Sequence, residues 1–253
     1  MGNSLLKTDG YIPPTELQLS MARSKPRSIT VAIMYRLFHA CNTLFGADRM
    51  MRLTLNASHL FARFAFELSS ISYGENFANV SLALSEEILS RHIPSGGTVL
   101  DVGCGYGRSC RLAAKFAASV VGIDYDGGLL AIARKLTAEK NVDYVHGDVT
   151  KDLGDQKFDL VLLIHVIEHI DDPDTILETL RGVSNKIIVE VPNFESDPLN
   201  CVRFDLGLQF YSDGDHVREY TERILTDQLM RNGWTIIEVR KNGGAVLAVA
   251  ETT

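Results

Sequence analysis

No apolar run in the chain reaches the roughly 18 residues that a membrane-crossing helix needs. The nearest, Ile29 to Ala47, is broken by Arg36 and His39, so no transmembrane segment is expected. Cysteine is sparse and unpatterned. Cys41, Cys104, Cys110 and Cys201 form no C-x-x-C pair and no ligand spacing, which speaks against a disulfide scaffold or zinc module and fits reduced thiols in a cytoplasmic protein. An excess of cations is lacking too. With a formal charge of −7, wholesale binding to a nucleic-acid backbone is not expected. The first residues are polar and Pro13-Pro14 interrupts them, so no secretory signal is expected; Leu6 occupies the place where an N-myristoylation signal needs Ser or Thr. Internal repeats and low-complexity tracts are also missing.

What remains is a chain of 253 residues, 45% hydrophobic, suited to one α/β domain with an extension. Its charge is uneven. Residues 1–66 hold eight Lys/Arg against three Asp/Glu, a net of +5 that leaves −12 for the remainder. Residues 1–28, with Pro13, Pro14 and Pro26, read as an N-terminal arm. A helix is predicted over Ile29–Phe45 and stopped by Gly46, and a second over about Asp48–Ser70. Together, residues 29–74 form a helical cap, rich in Phe and Met, that packs on the sheet edge, closes over an acceptor, or rests a basic face on an anionic membrane.

From residue 75 onward, strands and helices alternate around one stretch, Thr98-Val-Leu-Asp-Val-Gly-Cys-Gly-Tyr-Gly-Arg108. Apolar β-prone residues run into glycines at 103, 105 and 107, and Arg108–Ala118 then has helical spacing. A strand, a glycine turn and a helix N-terminus present backbone N–H groups to a ligand. The dinucleotide fingerprint G-x-G-x-x-G would place its last glycine at Arg108, so the spacing departs from it. Val120–Asp124 is a second strand ending in an acid about 20 residues on, where a ribose diol is bound in such folds. Asp126 caps a helix to Leu136, Tyr144–Asp148 is a third acid-ended strand, and Phe158–Ile164 a fourth. The helix Asp174–Val183, the strand Lys186–Pro192, a helix from Thr221 to Asn232, and strands Trp234–Arg240 and Ala245–Ala250 complete the pattern. A helix Ala78–His92 precedes the first strand. Residues 193–220 lack periodicity and are too long for a plain connection, so they read as an acceptor-site insertion.

The spacing D-x-G-x-G-x-G at Asp101–Gly107, with acids ending the next two strands, resembles the class I S-adenosylmethionine-dependent methyltransferases. The Glu168-His169 pair before an acidic-Pro turn is similar to ubiquinone-biosynthesis and other small-molecule O-methyltransferases. That resemblance covers roughly residues 75–250. It implies a Rossmann-like seven-stranded, mostly parallel sheet with helices on both faces, behind the N-terminal helical cap. It also implies S-adenosylmethionine as cofactor, with Asp101 ordering the turn, Gly103 and Gly105 against the ligand, Asp124 on the ribose and Asp148 on the adenine. Cys104, Gly107, Tyr125 and Val149 belong to the same expected set, and Tyr73 is the aromatic expected near the cofactor's amino-acid end.

Methyl transfer from a sulfonium is an in-line displacement, for which the protein aligns two atoms and frees a nucleophile of its proton. His169 and His216 are the candidate bases, with His165 a third catalytic candidate in the same cluster. His165, Glu168 and His169 lie on one face of a helical turn at i, i+3, i+4. Small-RNA terminal methyltransferases and some ubiquinone enzymes carry Glu-x-x-Glu-His and a later His around a divalent cation. Here the first Glu is His165, so no metal is assigned. The expected acceptor is a small molecule, a sugar or a lipid-linked metabolite, with peripheral membrane contact compatible and the oligomeric state open. The alternatives are an RNA methyltransferase, a nicotinamide-dependent oxidoreductase (against which no Tyr-x-x-x-Lys pair is present) and a non-catalytic cofactor-binding scaffold.

Overall fold

A computed structural model describes residues 6–7, 10–11, 29–74 and 83–252. Strands β1 (Leu6–Lys7) and β2 (Gly10–Tyr11) pair antiparallel, and helices α1 (Ile29–Phe45) and α2 (Ala47–Tyr73) follow. Then come α3 (Glu86–His92), β3 (Thr98–Val102), α4 (Arg108–Ala113), β4 (Ser119–Asp124) and α5 (Gly127–Leu136). After these lie β5 (Val142–His146), α6 (Val149–Asp152), β6 (Leu160–Ile164), a 3-10 turn at Ile167–His169, and α7 (Pro173–Arg181). The chain continues through β7 (Lys186–Pro192), α8 (Leu199–Asp205), α9 (Glu222–Arg231), β8 (Trp234–Asn242) and β9 (Ala245–Thr252).

The chain divides into two compact units. One, residues 81–196 with 211–253, is built on a seven-stranded sheet of order β5-β4-β3-β6-β7-β9-β8. The first five are parallel, and β9 runs antiparallel to both β7 and β8. Alternation puts Leu100, Leu163, Val189 and Trp234 in one core and Val99, Leu162, Ile188 and Leu247 in the other. Central strands buried on both faces read as continuous apolar runs, which is why β6 is Leu-Val-Leu-Leu-Ile. The chain builds outward from β3 to β5, then returns with β6 on the other side of β3. At that reversal the carboxyl ends of β3 and β6 stand side by side over an open crevice, where ligands of open α/β sheets bind.

The other unit comprises residues 1–80 and 197–210. Its polar staple is Arg203 of α8, nearly fully buried, which donates to Asp197 (2.6 Å), Asn200 Oδ1 (2.9 Å) and Ser58 Oγ of α2 (3.1 Å). Arg52 of α2 donates in turn to the Leu206 carbonyl (3.0 Å), and Phe204 meets Phe210 edge-on at 5.5 Å. Residues 193–220 are thereby split: 197–210 join the helices, whereas 211–220 stay with the sheet.

Several boundaries differ from the sequence expectation. The helix expected over Arg108–Ala118 ends at Ala113, because the Asn141 side chain takes the carbonyls of Ala114 (2.9 Å) and Ala117 (3.0 Å). Helix α3 starts at Glu86, where Ser85 accepts from the Ile88 N–H and two acids occupy the first turn. Residues 75–82, and most of the arm over 1–28, lie outside the described residues. Helix α2 extends to Tyr73, and β8 and β9 each run two residues further than their pattern predicts.

Candidate active site

The turn after β3 forms one wall of the crevice. Gly103 N–H donates to the Ile123 carbonyl (2.8 Å), and Gly105 N–H to Asp124 Oδ2 (2.8 Å). Gly105 has φ 50° and Gly107 φ 72°, left-handed conformations that favour glycine. Under Gly107 there is no room either: a Cβ there would lie 2.0 Å from the Tyr144 hydroxyl. Over Gly105 there is space, with nothing within 4 Å of a would-be Cβ, so the backbone is open to a ligand.

Below the turn Asp101 is buried, and its Oδ2 accepts from the Cys110 thiol at 3.0 Å. Burial raises its pKa to about 7. The hydrogen bond to Cys104, and then burial, hold the Cys110 thiol well above its usual value, so this thiol is protonated and inert. Asp101 and Cys104 therefore support the turn from behind it.

Asp124 ends β4 nearly buried, its Oδ1 accepting from Asp126 N–H (2.8 Å) and its Oδ2 from Gly105. Each oxygen keeps a second lone pair. Asp148 lies two residues beyond β5 as the N-cap of α6, accepting from Thr150 N–H and pairing with Lys151 at 2.6 Å. The Lys151 hydrogen bond, with those from Thr150, lowers its pKa to about 2. A cavity of about 500 Å³ is lined on this side by Gly103, Gly105, Asp124, Tyr125, Asp148 and Val149. The size and the open glycine edge fit a nucleoside-containing ligand.

The opposite wall follows β6. Here lie His165, Val166, His169, Ile170, Ile176 and Asp215. His165 takes up φ 56°, the single positive φ outside glycine among the described residues. Its Nδ1 lies 3.1 Å from Glu168 Oε1 and its Nε2 3.2 Å from Glu190 Oε1, both carboxylates having no exposed surface. Glu190 stands beside Ile164 in the β6–β7 register, and its Oε2 accepts from Leu84 N–H at 2.5 Å. Burial disfavours the imidazolium, but the bonds to Glu168 and Glu190 outweigh it and push the His165 pKa up to about 10. Both ring nitrogens of His165 are thus engaged by buried carboxylates, an arrangement that neither His169 nor His216 shares.

Glu168 Oε2 is buried with no hydrogen-bond partner among the described residues. The Val217 N–H donates to the Glu168 carbonyl (3.0 Å) and Arg218 to that of Asp171 (2.6 Å), which ties residues 216–218 onto the 3-10 turn. His216 thus meets His169 edge-on, ring centres 4.6 Å apart. His169 Nδ1 is 3.2 Å from Asp215 Oδ2. His216 Nδ1 is 3.0 Å from Glu219 Oε1. Burial lowers the His216 pKa, and the Glu219 bond more than reverses that to a net rise. Only His169 of this pair faces the cavity. Glu168, His169 and His216 each offer a ligand atom within 4.8 Å of the others, a donor set of transition-metal character, and the orphaned Glu168 oxygen fits such a role. Tyr73 ends α2 in the helical unit, half exposed. Sequence reasoning did not single out Glu190 or Asp215 as site residues. The signal for Glu190 was an acid inside an otherwise apolar strand; Asp215 had no local signal beyond its His neighbour.

Residues 100–186 match the family described as Methyltransferase domain. A ubiquinone biosynthesis O-methyltransferase of Bradyrhizobium sp. is 30% identical over 145 residues, covering 54% of this chain and 56% of the relative. One from Chelativorans sp. is 39% identical over 87 residues, 33% of this chain and 34% of the relative. The chain thus spans about half the length, or less, of these curated relatives. Among solved structures, an S-adenosylmethionine-dependent methyltransferase from Mesorhizobium loti superimposes with a TM-score of 0.52 at 19% identity, over 66% of this chain and 98% of that one. The N-methyltransferase NodS from Bradyrhizobium japonicum, in complex with S-adenosyl-L-homocysteine, gives 0.52 at 15% identity, over 66% and 83%. Residues 100–186 are thus similar to the Methyltransferase domain family, and the sheet has the Rossmann-like fold of the solved methyltransferases it superimposes on.

Proposed function

We propose that this domain methylates an oxygen of a small molecule, sugar or lipid-linked metabolite, with His169 as the general base. The observation that carries the reading is His169 itself: an imidazole facing the cavity across from the glycine turn, with Asp215 at 3.2 Å to orient its ring. S-adenosylmethionine, when bound, supplies an activated methyl group. Gly105 leaves space for a ligand against its backbone, and Asp124 offers its remaining lone pairs to a diol. Val166, Ile170 and Ile176 line the cavity with apolar surface, which favours water exclusion. With Nδ1 held by Asp215, Nε2 of His169 is the atom left to receive the acceptor's proton.

A second reading has its own support in the orphaned Glu168 Oε2 beside two imidazoles, where a divalent cation would lower an acceptor hydroxyl's pKa in place of a base. Purified protein, methyl-labelled S-adenosylmethionine and a fractionated extract of the source cells test both. Label entering a lipid, glycan or small-molecule fraction, lost in Asp124→Ala and cut about a hundredfold or more in His169→Asn with S-adenosyl-L-homocysteine binding intact, is the expected outcome. Transfer abolished by a chelator and by Glu168→Gln would favour the cation instead. Label in RNA, or none with cofactor binding intact, would overturn the small-molecule assignment.

A further inference from the structure

Helix α1 has no buried residue, although apolar side chains point from it in every direction. Val31, Ile33, Met34 and Leu37 are each more than half exposed. Between residues 29 and 47 the formal charge is a single cation, Arg36. On α2, Leu53, Leu60, Phe64 and Ile71 recur at spacings of seven, four and seven, which makes one stripe along the helix. They are 62%, 50%, 49% and 81% exposed, while Leu55 on another face is buried at 6%. A surface helix normally buries its apolar stripe, so the exposed one lacks its natural medium.

Three observations choose among possible media. A second copy of the chain would cover a confined patch, whereas exposed apolar side chains run the length of both helices, from Ile29 to Ile71. Neither helix is long and apolar enough to cross a membrane, and Arg36 lies near the middle of α1, where its stem can reach upward to water. Finally, α1 and α2 carry Arg36, Arg49, Arg52 and Arg63 against Asp48 and Glu67, a net of +2 in a chain of −7, a polarity that selects an anionic surface.

We propose that α1 and α2 lie in the headgroup region of an anionic lipid bilayer, with the α1 surface and the Leu53–Ile71 stripe as the inserted faces. The anchoring is independent of methyl transfer, so its failure leaves the reading of the catalytic domain untouched.

The full chain would be sedimented with vesicles of phosphatidylglycerol and phosphatidylcholine, and separately with phosphatidylcholine alone. Binding to the anionic vesicles, weakened by salt, is expected. Leu60→Glu/Phe64→Glu should lower the partition coefficient about a hundredfold, with S-adenosyl-L-homocysteine binding retained. Should that variant misfold by circular dichroism, Met34→Glu/Leu37→Glu on α1 reads the same loss. No sedimentation with anionic vesicles, equal sedimentation of wild type and variants, or a dimer in lipid-free solution that these substitutions dissociate would each overturn the proposal, the last by giving the stripe to a second copy.

Discussion

The Nε2 of His165 lies 3.2 Å from Oε1 of Glu190, a carboxylate in the middle of a buried strand with no exposed surface. The imidazolium bridges this acid and Glu168, so that one positive charge serves two buried carboxylates. A raised histidine pKa stabilises the folded state fully below the unfolded value of 6.5 and progressively less as pH rises through about 10.

His165→Asn should accordingly cost about 3 kcal/mol near neutral pH, because it strands two buried charges. Asparagine tolerates the left-handed backbone at this position, so the loss reports the charge and not the turn. Thermal melts of wild type and variant from pH 6 to 11 would converge at the alkaline end. A constant gap across that range would refute the charge account.

Asp101 shares the sign of this pH dependence, although here burial penalises the charged form instead of a partner favouring it. Its pKa is raised from 3.8 to about 7 by burial, so it weakens folding increasingly as pH rises from about 4 to 7. Asp101→Asn is expected to raise Tm at pH 8 and to leave it unchanged below about pH 4, as measured by calorimetry.

Asp124→Asn should reduce affinity for S-adenosyl-L-homocysteine at least tenfold by titration calorimetry, since a charge-assisted hydrogen bond contributes about 1.5–3 kcal/mol. The effect on stability is expected to be small next to that of Asp124→Ala, which leaves the Gly105 and Asp126 N–H groups without their acceptor.

Gly105→Ala and Gly107→Ala separate binding from folding. Both suffer from a positive φ, at about 1–2 kcal/mol. At Gly107 the added methyl also collides with the Tyr144 hydroxyl, so this variant should melt well below the other. Gly105→Ala meets nothing in the protein and should instead lose cofactor affinity. Equal melting temperatures would contradict the geometry.

The sheet was legible because its signals are local. Strand β3, the glycine turn, the acid at 124 and its partner at 148 follow one another within about fifty residues, and each announces itself by alternation or by a cap. What escaped depends on residues far away in the chain. The early end of α4 is imposed by Asn141, 24–27 residues downstream. The alliance of residues 197–210 with the helical unit runs through Arg203 to Ser58, 145 positions earlier. His165 reads as a catalytic candidate from its neighbours in sequence, and its bond to Glu190, 25 residues on, is visible only in the fold. Local pattern reports secondary structure, whereas protonation is decided by whatever the fold brings alongside.

The two walls of the crevice are made of different material. One, from β3 to α6, presents main-chain amides, glycines and strand-end acids whose own hydrogen bonds are internal to the turn. The other, from His165 through Ile176 with Asp215, presents side chains carried on short turns. Mutation rewrites side chains and leaves amides as they were. A lineage can therefore explore new ligands on the second wall, one substitution at a time, while inheriting the first intact.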